Sequence, residues 1–581
     1  MSRDITEDIP LNIGNPGSSA FWTNNEDSYD IAVGGLPFLL CSTDNTPYYR
    51  QTAPYKKDQL DNSREAGEQS LVGWWLRSQS SFHAGSGIKF YDPGTGESIG
   101  YRFADSQGLD VWTKGQATLL KDVVQNHETT TVIPTSGVNK GLAQQYIRSI
   151  QWSGTNGILL QDGNDVDRID ANGNVTHWVD HNTGGAYPVY AICDDGTYAY
   201  WVTNNGTSGK LEIYKKLLSD AAGIPASPMI STPSIAVANA TMEWVKDRIV
   251  ACINNVVYEI APNATTLPTP VYTNPNTNYI YTSVSASGPA IYTSGFSGIK
   301  STIQKYTLVS STGSMPVLSA ASVAAEFPAG EIVHKIFYYL GYMMIGTSKG
   351  MRVAMVNDQD GSLDYGPLIV ETTQPCYDFA ARDRFVWCAT GVSTDVGLIR
   401  IDLGQSIEQE HLRFAYANDL QAVAVTGHPT TAVGFIGDTN RLAFCSTKVG
   451  TDNGYVYLEH ATQLRSSGYL VTGKIRFGTL EPKNFKLIRA RGTYLYGSMS
   501  IQSIDAEGDV YDLITYNSSV GTPEVSTTQP EGSQEYLAYE FTLLRDGTDA
   551  TKGPTFTGFQ AKALPATKRQ RMIQFPVWCF D

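Results

Sequence analysis

The feature that most constrains this chain is a pair of short strand-like runs that recurs seven times through its middle. In each pair a compact apolar run such as GILLQDG, YAYWVTN or RIVACIN comes first, and a more alternating run such as VDRIDAN, LEIYKKL or VVYEIAP follows. The apolar runs begin at positions 157, 198, 248, 290, 342, 385 and 441, so successive starts lie 41 to 56 residues apart. A repeat of about 40–50 residues is typical of arrays of small antiparallel sheets.

This pattern predicts a β-propeller of about seven blades over residues 140–460. A blade of three or four antiparallel strands meets neighbouring blades on both faces, which explains the continuously apolar runs, whereas outer strands alternate. Turn residues agree, because Asp194-Asp195-Gly196 precedes one apolar run and Asn172-Gly173 separates two strand-like segments. Two alternatives are a β-helix, whose repeats are shorter, and two stacked sandwiches, whose spacing need not recur.

The flanks of the repeat predict two further β-rich parts. A chain of 581 residues is too long for one ordinary core. We expect residues 1–140 to form a small β-domain or a segment packed on the propeller, residues 141–467 to form the propeller, and residues 468–581 to form a β-sandwich. Within the last part FKLIRARG and YLAYEFTLL alternate without blade pairing, and 517–534 is interpreted as a polar loop.

The composition favours an all-β fold. Aromatic residues make up 11% of the chain, charged residues only 17%, and there are 33 tyrosines, so the chain can bury large cores but lacks the composition of long helices. The best helical candidates are short, at 141–150, 216–223 and 318–327.

Charge and targeting signals narrow the class of protein. The net charge of −15 argues against a nucleic-acid partner, because a protein that binds a phosphate backbone needs a basic face. The amino-terminal residues contain no apolar run between a basic start and a cleavage site, so we expect no signal peptide. No stretch approaches the roughly 20 apolar residues of a membrane span. We therefore expect a soluble protein that is synthesised in a cytoplasm.

The seven cysteines predict buried, reduced thiols. They form no C-x-x-C pair, and several lie in apolar runs such as RIVACINN and RLAFCST. A disulfide framework or zinc site would need closer, paired spacing. The cysteines are Cys41, Cys193, Cys252, Cys376, Cys388, Cys445 and Cys579.

Two segments offer metal-ligand residue types, and neither has a recognised ligand spacing. In DGNDVDRIDANG (162–173), a calcium loop that begins at Asp162 would need Gly at 167 and Glu at 173, where the chain has Asp167 and Gly173. His177 and His181 are four residues apart, which suits ligands on a helix, but VTHWV is typical of a strand. We expect a solvated hairpin, two ordinary polar histidines, and no metal or cofactor.

Catalytic motifs are absent from the sequence. It contains no G-x-S-x-G, G-x-x-x-x-G-K-[ST] or H-E-x-x-H motif. His83 is close in sequence to Ser80 and Ser81, which we interpret as a coincidence in a Ser-rich segment. No catalytic residue is assigned and the protein is expected not to be an enzyme. A glycoside hydrolase stays open as an alternative, since many propellers are glycosidases whose paired carboxylates come from separate strands.

Tyrosine-rich segments are candidate sugar-binding surfaces. TPYYRQTAPY (46–55) and NYIYTSV (278–284) contain flat rings that could stack on pyranoses. The alternative is that tyrosine is simply a good strand former with a polar tip. Loops carry specificity in such folds, and the sequence does not distinguish one loop from another, so no receptor-binding residue is assigned.

Two blocks in the flanks resemble a known family. Residues 51–93 contain GWWLRSQSSFHAGSGIKFYDP, and residues 468–581 contain GKIRFGTLEPKNFKLIR and close with ALPATKRQRMIQFPVWCFD. They resemble the minor tail proteins of long-tailed phages of actinobacteria, in which similar GW-L-RSQ-SFH-G-G-K-Y-P, G-I-FGTLEPK-FK and LPA-KRQR-I--P--C-D blocks occur in the same order. The resemblance covers both flanks well and the middle only in general pattern.

The resemblance implies a structural virion protein, located at the phage tail tip or its appendages, that contributes to adsorption to the host. Implied partners are other tail proteins, symmetric copies of the same chain in a threefold or sixfold arrangement, and a host cell-wall glycan. A phage protein leaves the cell by lysis, so it needs no export signal. The KRQR cluster (568–571) is either a contact with an acidic neighbour or a solvated turn.

Three hypotheses follow. The first is a tail protein that adheres without chemistry. The second is a polysaccharide-degrading propeller enzyme of the tail. The third is an interaction propeller unrelated to virions.

Overall fold

A computed structural model describes most of the chain. The described residues are 31–33, 36–43, 46–51, 75–91, 99–129, 146–181, 188–205, 209–225, 227–232, 234–288, 290–309, 315, 317–392, 395–426, 428–447, 454–492, 496–517, 524–528 and 532–565. The first eight strands are β1 (Ile31–Val33), β2 (Leu36–Thr43), β3 (Thr46–Gln51), β4 (Trp75–Gln79), β5 (Asp105–Gln107), β6 (Leu109–Asp110), β7 (Ala117–Leu119) and β8 (Lys121–Thr129).

The middle of the chain forms seven antiparallel sheets, which are the blades. Blade 1 contains β9 (Ile147–Trp152), β10 (Thr155–Asp162), β11 (Asp165–Asp170) and β12 (Val175–Asp180). Blade 2 contains β13 (Val189–Asp194), β14 (Tyr198–Asn205), β15 (Lys210–Leu217) and β16 (Ile230–Thr232). Blade 3 contains β17 (Ala240–Val245), β18 (Arg248–Ile253), β19 (Val256–Ile260) and β20 (Tyr272–Thr273). Blade 4 contains β21 (Ile280–Ala286), β22 (Ala290–Ser297), β23 (Lys300–Thr307) and β24 (Ser322–Glu326).

The remaining blades follow the same strand order. Blade 5 contains β25 (Val333–Tyr339), β26 (Tyr342–Thr347), β27 (Gly350–Val356) and β28 (Leu363–Tyr365), with β29 (Val370–Glu371) also paired to β27. Blade 6 contains β30 (Asp378–Arg382), β31 (Phe385–Ala389), β32 (Asp395–Glu408) and β33 (Arg413–Thr426). Blade 7 contains β34 (Thr430–Phe435), β35 (Leu442–Thr447) and β36 (Gly454–Leu464), and its fourth strand is β8.

The blades close into a ring. The first strand of one blade lies against the first strand of the next, as β13 does against β17 and β17 against β21, and β34 of the last blade lies against β9 of the first. The seven apolar runs of the sequence are the second strands of the seven blades, and the alternating runs are the third strands. The predicted propeller of about seven blades is confirmed.

Each seam between two blades has its own hydrophobic core within the described residues. Neighbouring residues of the second strand of blade 2 serve opposite seams: Trp201 packs with Trp178 of blade 1, whereas Val202 packs with Met242 of blade 3. Full burial of one such side chain contributes about 1.5–3 kcal/mol. The second strands are therefore apolar along their whole length because both of their faces are buried.

The ring is closed by a strand from outside the repeat. β8 pairs with β36 in antiparallel register, with His127 opposite Val456 and Val124 opposite Leu458. The structure therefore differs from the predicted boundary at residue 140, since Lys121–Thr129 belongs to the propeller. The sequence contains no local sign of this pairing, because β8 lies more than 300 residues before its partner.

The carboxyl-terminal part is a sandwich that also includes amino-terminal strands. Its strands are β37 (Ser467–Val471), β38 (Lys483–Gly492), β39 (Ser498–Ile504), β40 (Val510–Asn517), β41 (Glu524–Thr528), β42 (Ala538–Leu544) and β43 (Thr555–Pro565). One sheet has the order β40-β39-β42-β37-β5, and the other has the order β41-β38-β43-β7-β6, with β4 also paired to β43. The predicted sandwich is confirmed, but residues 75–119 complete it instead of forming a separate domain.

The core of the sandwich joins both ends of the chain. Phe541 of β42 stacks on Phe556 of β43 with ring centroids 4.4 Å apart, and Phe82 from the amino-terminal part stacks on Phe556 at 5.2 Å. All three rings are buried. β4 to β7 are therefore held by the same hydrophobic core as the carboxyl-terminal strands.

Several local expectations are wrong. The described parts of the three helical candidates contain no α-helix: Ile147–Trp152 and Ser322–Glu326 are strands, and 218–223 is a turn and bend segment. The segment 517–534, expected to be a loop, contains the strand Glu524–Thr528. Pairing to a sheet overrides weak local helix propensity in such short segments.

The expected burial of the cysteines is confirmed where their side chains are described. Cys193, Cys252, Cys376, Cys388 and Cys445 are buried free thiols. Burial raises the pKa of the Cys252 thiol, which disfavours the reactive thiolate. The side chains of the other two cysteines lie outside the described residues.

The RSQSSFHAGSG block joins the sandwich to the propeller. Ser86 donates hydrogen bonds from its backbone N–H and from Oγ to the carbonyl oxygen of Tyr416 in blade 6, at 2.8 and 3.0 Å. Arg102 donates to the Ser86 carbonyl at 2.8 Å. Gly85 has a φ of 81°, and a Cβ there would lie 2.6 Å from the Tyr416 oxygen, so the close approach requires glycine.

The FGTLEPK block forms a turn that is held by a buried lysine. Lys483 is fully buried, and its Nζ donates to the carbonyl oxygens of Thr479, Glu481 and Glu535 at 2.7, 2.6 and 2.6 Å. Burial lowers the pKa of Lys483 to about 8. Three donors on one flexible side chain satisfy three carbonyl groups at once, which accounts for a lysine at this position.

Removal of the amino-terminal strands should prevent stable folding. A chain that begins at residue 141 leaves β36 without its outer partner β8 and removes four strands from the sandwich, so we expect it to lose the cooperative thermal transition of the full chain. Circular dichroism against temperature measures this.

The matched control begins at residue 52. Of the described strands it lacks only β1 to β3, whose sheet pairs with no other described strand, and it should keep the transition of the full chain. Equal midpoints for the chain from 141 and the full chain would contradict the structural role of β4 to β8.

Candidate functional site

The Ser-rich segment contains a serine–histidine hydrogen bond. Ser81 Oγ lies 2.7 Å from His83 Nδ1 and accepts a hydrogen bond from the Gly115 N–H at 3.1 Å. The structure thus brings Ser81 and His83 together, which the sequence interpretation did not expect. Burial, Lys114 and Arg384 all lower the pKa of His83, whereas the base of a catalytic triad needs a neighbouring anion to stabilise its charged form. The contact therefore has the character of a structural hydrogen bond.

A cleft of about 460 Å³ lies where the propeller meets the sandwich, and we call it the junction cleft. Strands of blades 6 and 7, the β6–β8 segment and sandwich loops all contribute to its walls. Its charged and aromatic lining consists of Asp110, Lys121, Arg400, Glu459, Tyr496 and Lys552.

Arg400 organises the acidic side of the junction cleft. Its Nη1 lies 3.7 Å from Asp110 Oδ1, and its Nε donates to Asp419 Oδ2. The guanidinium also lies over the Trp387 ring, 4.9 Å from the centroid. Burial opposes the charge on Arg400, but Asp419 and Asp110 outweigh it and raise the pKa of this residue. The pair Arg400–Asp419 is therefore a buried ion pair that fixes one wall of the cleft.

Glu459 is the carboxyl group of the junction cleft whose protonation is most altered. Burial raises the pKa of Glu459 to about 7, although its Oε2 accepts a hydrogen bond from the Leu442 N–H at 2.9 Å, which acts in the opposite direction. A carboxyl group that is partly protonated near neutral pH, in a cleft that also holds Asp110, has the residue types of a general acid and its partner.

A second cleft, of about 590 Å³, opens at blade 2 between β14, β15 and the segment that follows β15. We call it the blade-2 cleft. Lys215 Nζ lies 4.0 Å from the centroid of the Tyr198 ring and donates to the Pro262 carbonyl at 2.8 Å. Lys216 lies deeper, with Nζ 4.5 Å from the Trp178 ring, and burial lowers its pKa to about 8. An aromatic ring beside a cation on an open surface suits a ligand that combines sugar rings with anionic groups.

The tyrosine-rich candidates do not form a surface where they are described. Tyr279 and Tyr281 are 6% and 3% exposed. Tyr281 donates to Gln304 Oε1 at 3.1 Å, and the Tyr279 hydroxyl lies 2.9 Å from Thr302 Oγ1. The sugar-stacking hypothesis is therefore wrong for these two rings, which are buried in the core. In 46–55, Thr46–Gln51 forms β3, and the side chains lie outside the described residues.

The acidic segment 162–173 is a solvated hairpin at only one end. Asp170 Oδ1 accepts hydrogen bonds from the Asn172 and Asn174 N–H groups, and Gly173 has a φ of 88°, as the predicted turn requires. At the other end Asp162 and Asp167 are 3% and 0% exposed, which contradicts the expectation of a solvated segment.

The two histidines of the HWVDH segment have different environments. His177 Nδ1 lies 3.0 Å from Asp167 Oδ1. His181 is buried, accepts a hydrogen bond from Trp201 Nε1 at 2.9 Å, and has a pKa lowered to about 4 by burial. His177 therefore joins the acidic residues of this segment.

A further histidine, which the sequence interpretation missed, completes that group. His127 of β8 lies 3.2 Å from Asp162 Oδ2 and 3.3 Å from Asp167 Oδ2 through its Nε2. The hydrogen bond to Asp162 and the negative charges of Asp162 and Asp167 raise the pKa of His127 to about 9. We call His127, Asp162, Asp167 and His177 the seam cluster, because it spans the seam between blades 7 and 1. Local spacing could not reveal it, since His127 approaches from another blade.

Comparison with known proteins yields similar solved structures only. No family model matches the chain, and no curated protein matches its sequence. The WD40 β-propeller domain of Doa1 aligns with a TM-score of 0.37 at 7% identity, over 58% of this chain and 98% of that one. YCF48 bound to D1 peptide aligns with a TM-score of 0.38 at 12% identity, over 60% and 98%. The Kuenenia stuttgartiensis hydrazine synthase aligns with a TM-score of 0.37 at 13% identity, over 57% and 99%.

Among the described residues, none lies in a helix with the length and apolar character needed to cross a bilayer.

Glu459 should make the stability of the protein depend on pH. An unfolded Glu titrates near 4.3, so the folded chain, with its raised pKa, binds more protons between about pH 4.3 and 7. The free energy of unfolding should therefore fall as the pH rises through this window, by on the order of 1–3 kcal/mol from this residue. Glu459→Gln should flatten the slope in chemical denaturation at pH 4.5, 6 and 8.

The control for this measurement is the exposed Glu371. Glu371→Gln should keep the slope of the unmodified protein. An identical slope in Glu459→Gln and the unmodified chain would show that burial does not hold a proton on Glu459.

Proposed function

We propose that this protein is a structural component of a phage tail tip or its appendages, and that its propeller presents an adhesive surface to the host cell wall. The observation that carries the proposal is the position of the blocks that resemble minor tail proteins. The described part of the first block forms the joint through Ser86 and Tyr416, and the FGTLEPK block forms the turn held by Lys483. In the proposed role, the sandwich to which both blocks contribute attaches the propeller to the tail.

The interlocked architecture supports a mechanical role. The amino-terminal part supplies β4 to β7 to the sandwich and β8 to the propeller, so the same segment is tied to both bodies. A tail protein must transmit force between the particle and the cell without separating its domains. The outer strands of the blades are the edges that the ring leaves, and several of them are short, such as β16 and β20, which limits unwanted pairing with other chains.

The blade-2 cleft is the surface we assign to adhesion. Tyr198 offers a ring and Lys215 offers a cation at the same opening. This combination favours an anionic cell-wall glycan or surface polymer. Symmetric copies around a tail would raise a weak affinity by roughly 10²–10⁴ through effective concentration.

Adsorption to host cells tests the adhesive surface. Soluble protein at saturating dose should slow phage adsorption, and Tyr198→Ala with Lys215→Ala should raise the required dose at least about tenfold, since one lost aromatic or charged contact is worth about 1.4 kcal/mol or more. The matched control is Tyr496→Ala with Lys552→Ala, a second tyrosine–lysine pair whose Nζ lies 4.9 Å from the ring centroid in the junction cleft.

The outcomes separate the two halves of the proposal. No effect of the unmodified protein would contradict adhesion and leave a purely structural tail role. Absence of the protein from purified particles by mass spectrometry would contradict the virion location and favour an interaction propeller unrelated to virions. Cryo-electron microscopy of the particle would give position and copy number together.

The junction cleft favours one alternative function, a polysaccharide-degrading enzyme of the tail. Its supporting observation is Glu459, whose raised pKa of about 7 suits a general acid, in the same cleft as Asp110. If this alternative holds, purified protein should release reducing ends from host wall glycan, and Glu459→Gln should lower the rate by about 10²–10⁴. Glu371→Gln is the control, and no release by the unmodified protein would reject the alternative.

A further inference from the structure

The seam cluster brings three potential metal ligands together from two blades. His127 Nε2, an oxygen of Asp162 and an oxygen of Asp167 all lie within 4.8 Å of one another. His127 belongs to β8 of blade 7, whereas Asp162 and Asp167 belong to β10 and β11 of blade 1. The cluster therefore bridges the seam at which the ring closes.

Strand register explains why so many carboxylates share this face. Asp162 is paired with Asp165, and Asp165 is paired with Asp180, so the three form a row across β10, β11 and β12. The register of β11 shifts between Val166 and Asp167, which places Asp167 opposite His177. A bulge of this kind redirects a side chain. Carboxylates directly opposite one another on a sheet repel unless a positive charge lies between them.

One carboxylate oxygen of the cluster is left without a hydrogen bond. The side chain of Asp167 is fully buried, and its Oδ2 accepts no hydrogen bond from the described residues. Its contact is the ion pair with His127 Nε2 at 3.3 Å, but that nitrogen is hydrogen-bonded to Asp162 Oδ2 at 3.2 Å. A single N–H cannot point at both oxygens. A buried charged oxygen without a donor is costly, and it is directed at the space between the three residues.

We propose that His127, Asp162 and Asp167 bind one divalent transition-metal ion, and that this ion fastens β8 to blade 1. Tetrahedral ligands about 2.0 Å from an ion lie about 3.3 Å from one another. The nitrogen-to-oxygen distances of 3.2 and 3.3 Å match this spacing. One imidazole with two carboxylates is a donor set that Zn²⁺, Co²⁺ and Mn²⁺ accept.

His177 is the supporting residue of the proposed site. Its Nδ1 lies 3.0 Å from Asp167 Oδ1, the oxygen that does not face His127, so it fixes the orientation of this carboxylate. The His177 side chain is 62% exposed, and that of His127 is 18% exposed. The exposed side at His177 offers an ion a route from solvent to the buried carboxylates.

The consequence is a metal-dependent closure of the ring. β8 is the strand that completes blade 7, and it enters from a distant part of the chain. An ion bound only by the folded form stabilises that form by mass action. The proposed ion would therefore oppose release of β8 without touching either cleft, and the inference does not rest on the proposed tail function.

Metal binding to the full chain tests the site. After dialysis against a chelator, the protein should bind one Zn²⁺ in isothermal titration calorimetry, and its thermal midpoint should rise to a plateau with added ZnCl₂. Bound Co²⁺ should give the intense visible absorption of a tetrahedral site. His127→Gln and, separately, Asp162→Asn should each lower the affinity at least tenfold and remove the Co²⁺ spectrum.

A control distinguishes the site from surface histidines and from misfolding. His411→Gln alters a histidine that is 66% exposed and paired with Glu408, and it should bind Zn²⁺ like the unmodified protein. Each variant must retain the cooperative transition of the chelated unmodified protein. Unchanged Zn²⁺ affinity in His127→Gln would overturn the proposal. The absence of any response to Zn²⁺, Co²⁺ or Mn²⁺ at about 1 mM, on the order of the weakest useful affinities, would also overturn it. The cluster would then be a protonated histidine held by two aspartates.

Discussion

Burial of both faces of every blade is the constraint on which the rest of the structure depends. A blade whose second strand places Trp201 towards one neighbour and Val202 towards the other is stable only between two neighbours. Seven blades satisfy this requirement by closing into a ring. The last sheet must also be complete, and β8 supplies its missing strand. Closure therefore ties the amino-terminal part of the chain to the end of the repeat.

The sandwich follows from the same connection. Once β8 is fixed in blade 7, the strands just before it lie beside the carboxyl-terminal strands, and rings such as Phe82 and Phe556 form one core. The joint at Ser86 and Tyr416 then couples the two bodies through backbone groups, which tolerate little variation at Gly85. In the blades, by contrast, many apolar residues of suitable size can fill the seams.

The candidate sites show how far local spacing reaches. The acidic segment 162–173 does not have the ligand positions of a calcium-binding loop, but that test considers only ligands from one loop. In the structure Asp162 and Asp167 face His127 from another blade. Rules of ligand spacing describe residues that are close in sequence, so they cannot predict this contact. Tyr279 and Tyr281 illustrate the opposite error, in which buried rings were expected to lie at a surface. Their hydroxyl groups pair with Thr302 and Gln304, respectively, so these tyrosines can be buried. The clefts are likewise assembled from distant strands and could not be assigned from sequence.

The sequence by itself determined the all-β class, the number of blades and the identity of their second and third strands, because two-sided burial imposes an apolar pattern that recurs at each blade. It also determined the turns at Asn172-Gly173 and Asp194-Asp195-Gly196, whose backbone geometry depends on neighbours in the chain. Only the tertiary structure decided the partner of β8, the shared sandwich and the seam cluster. These depend on contacts between residues far apart in the chain, for which no local pattern is required.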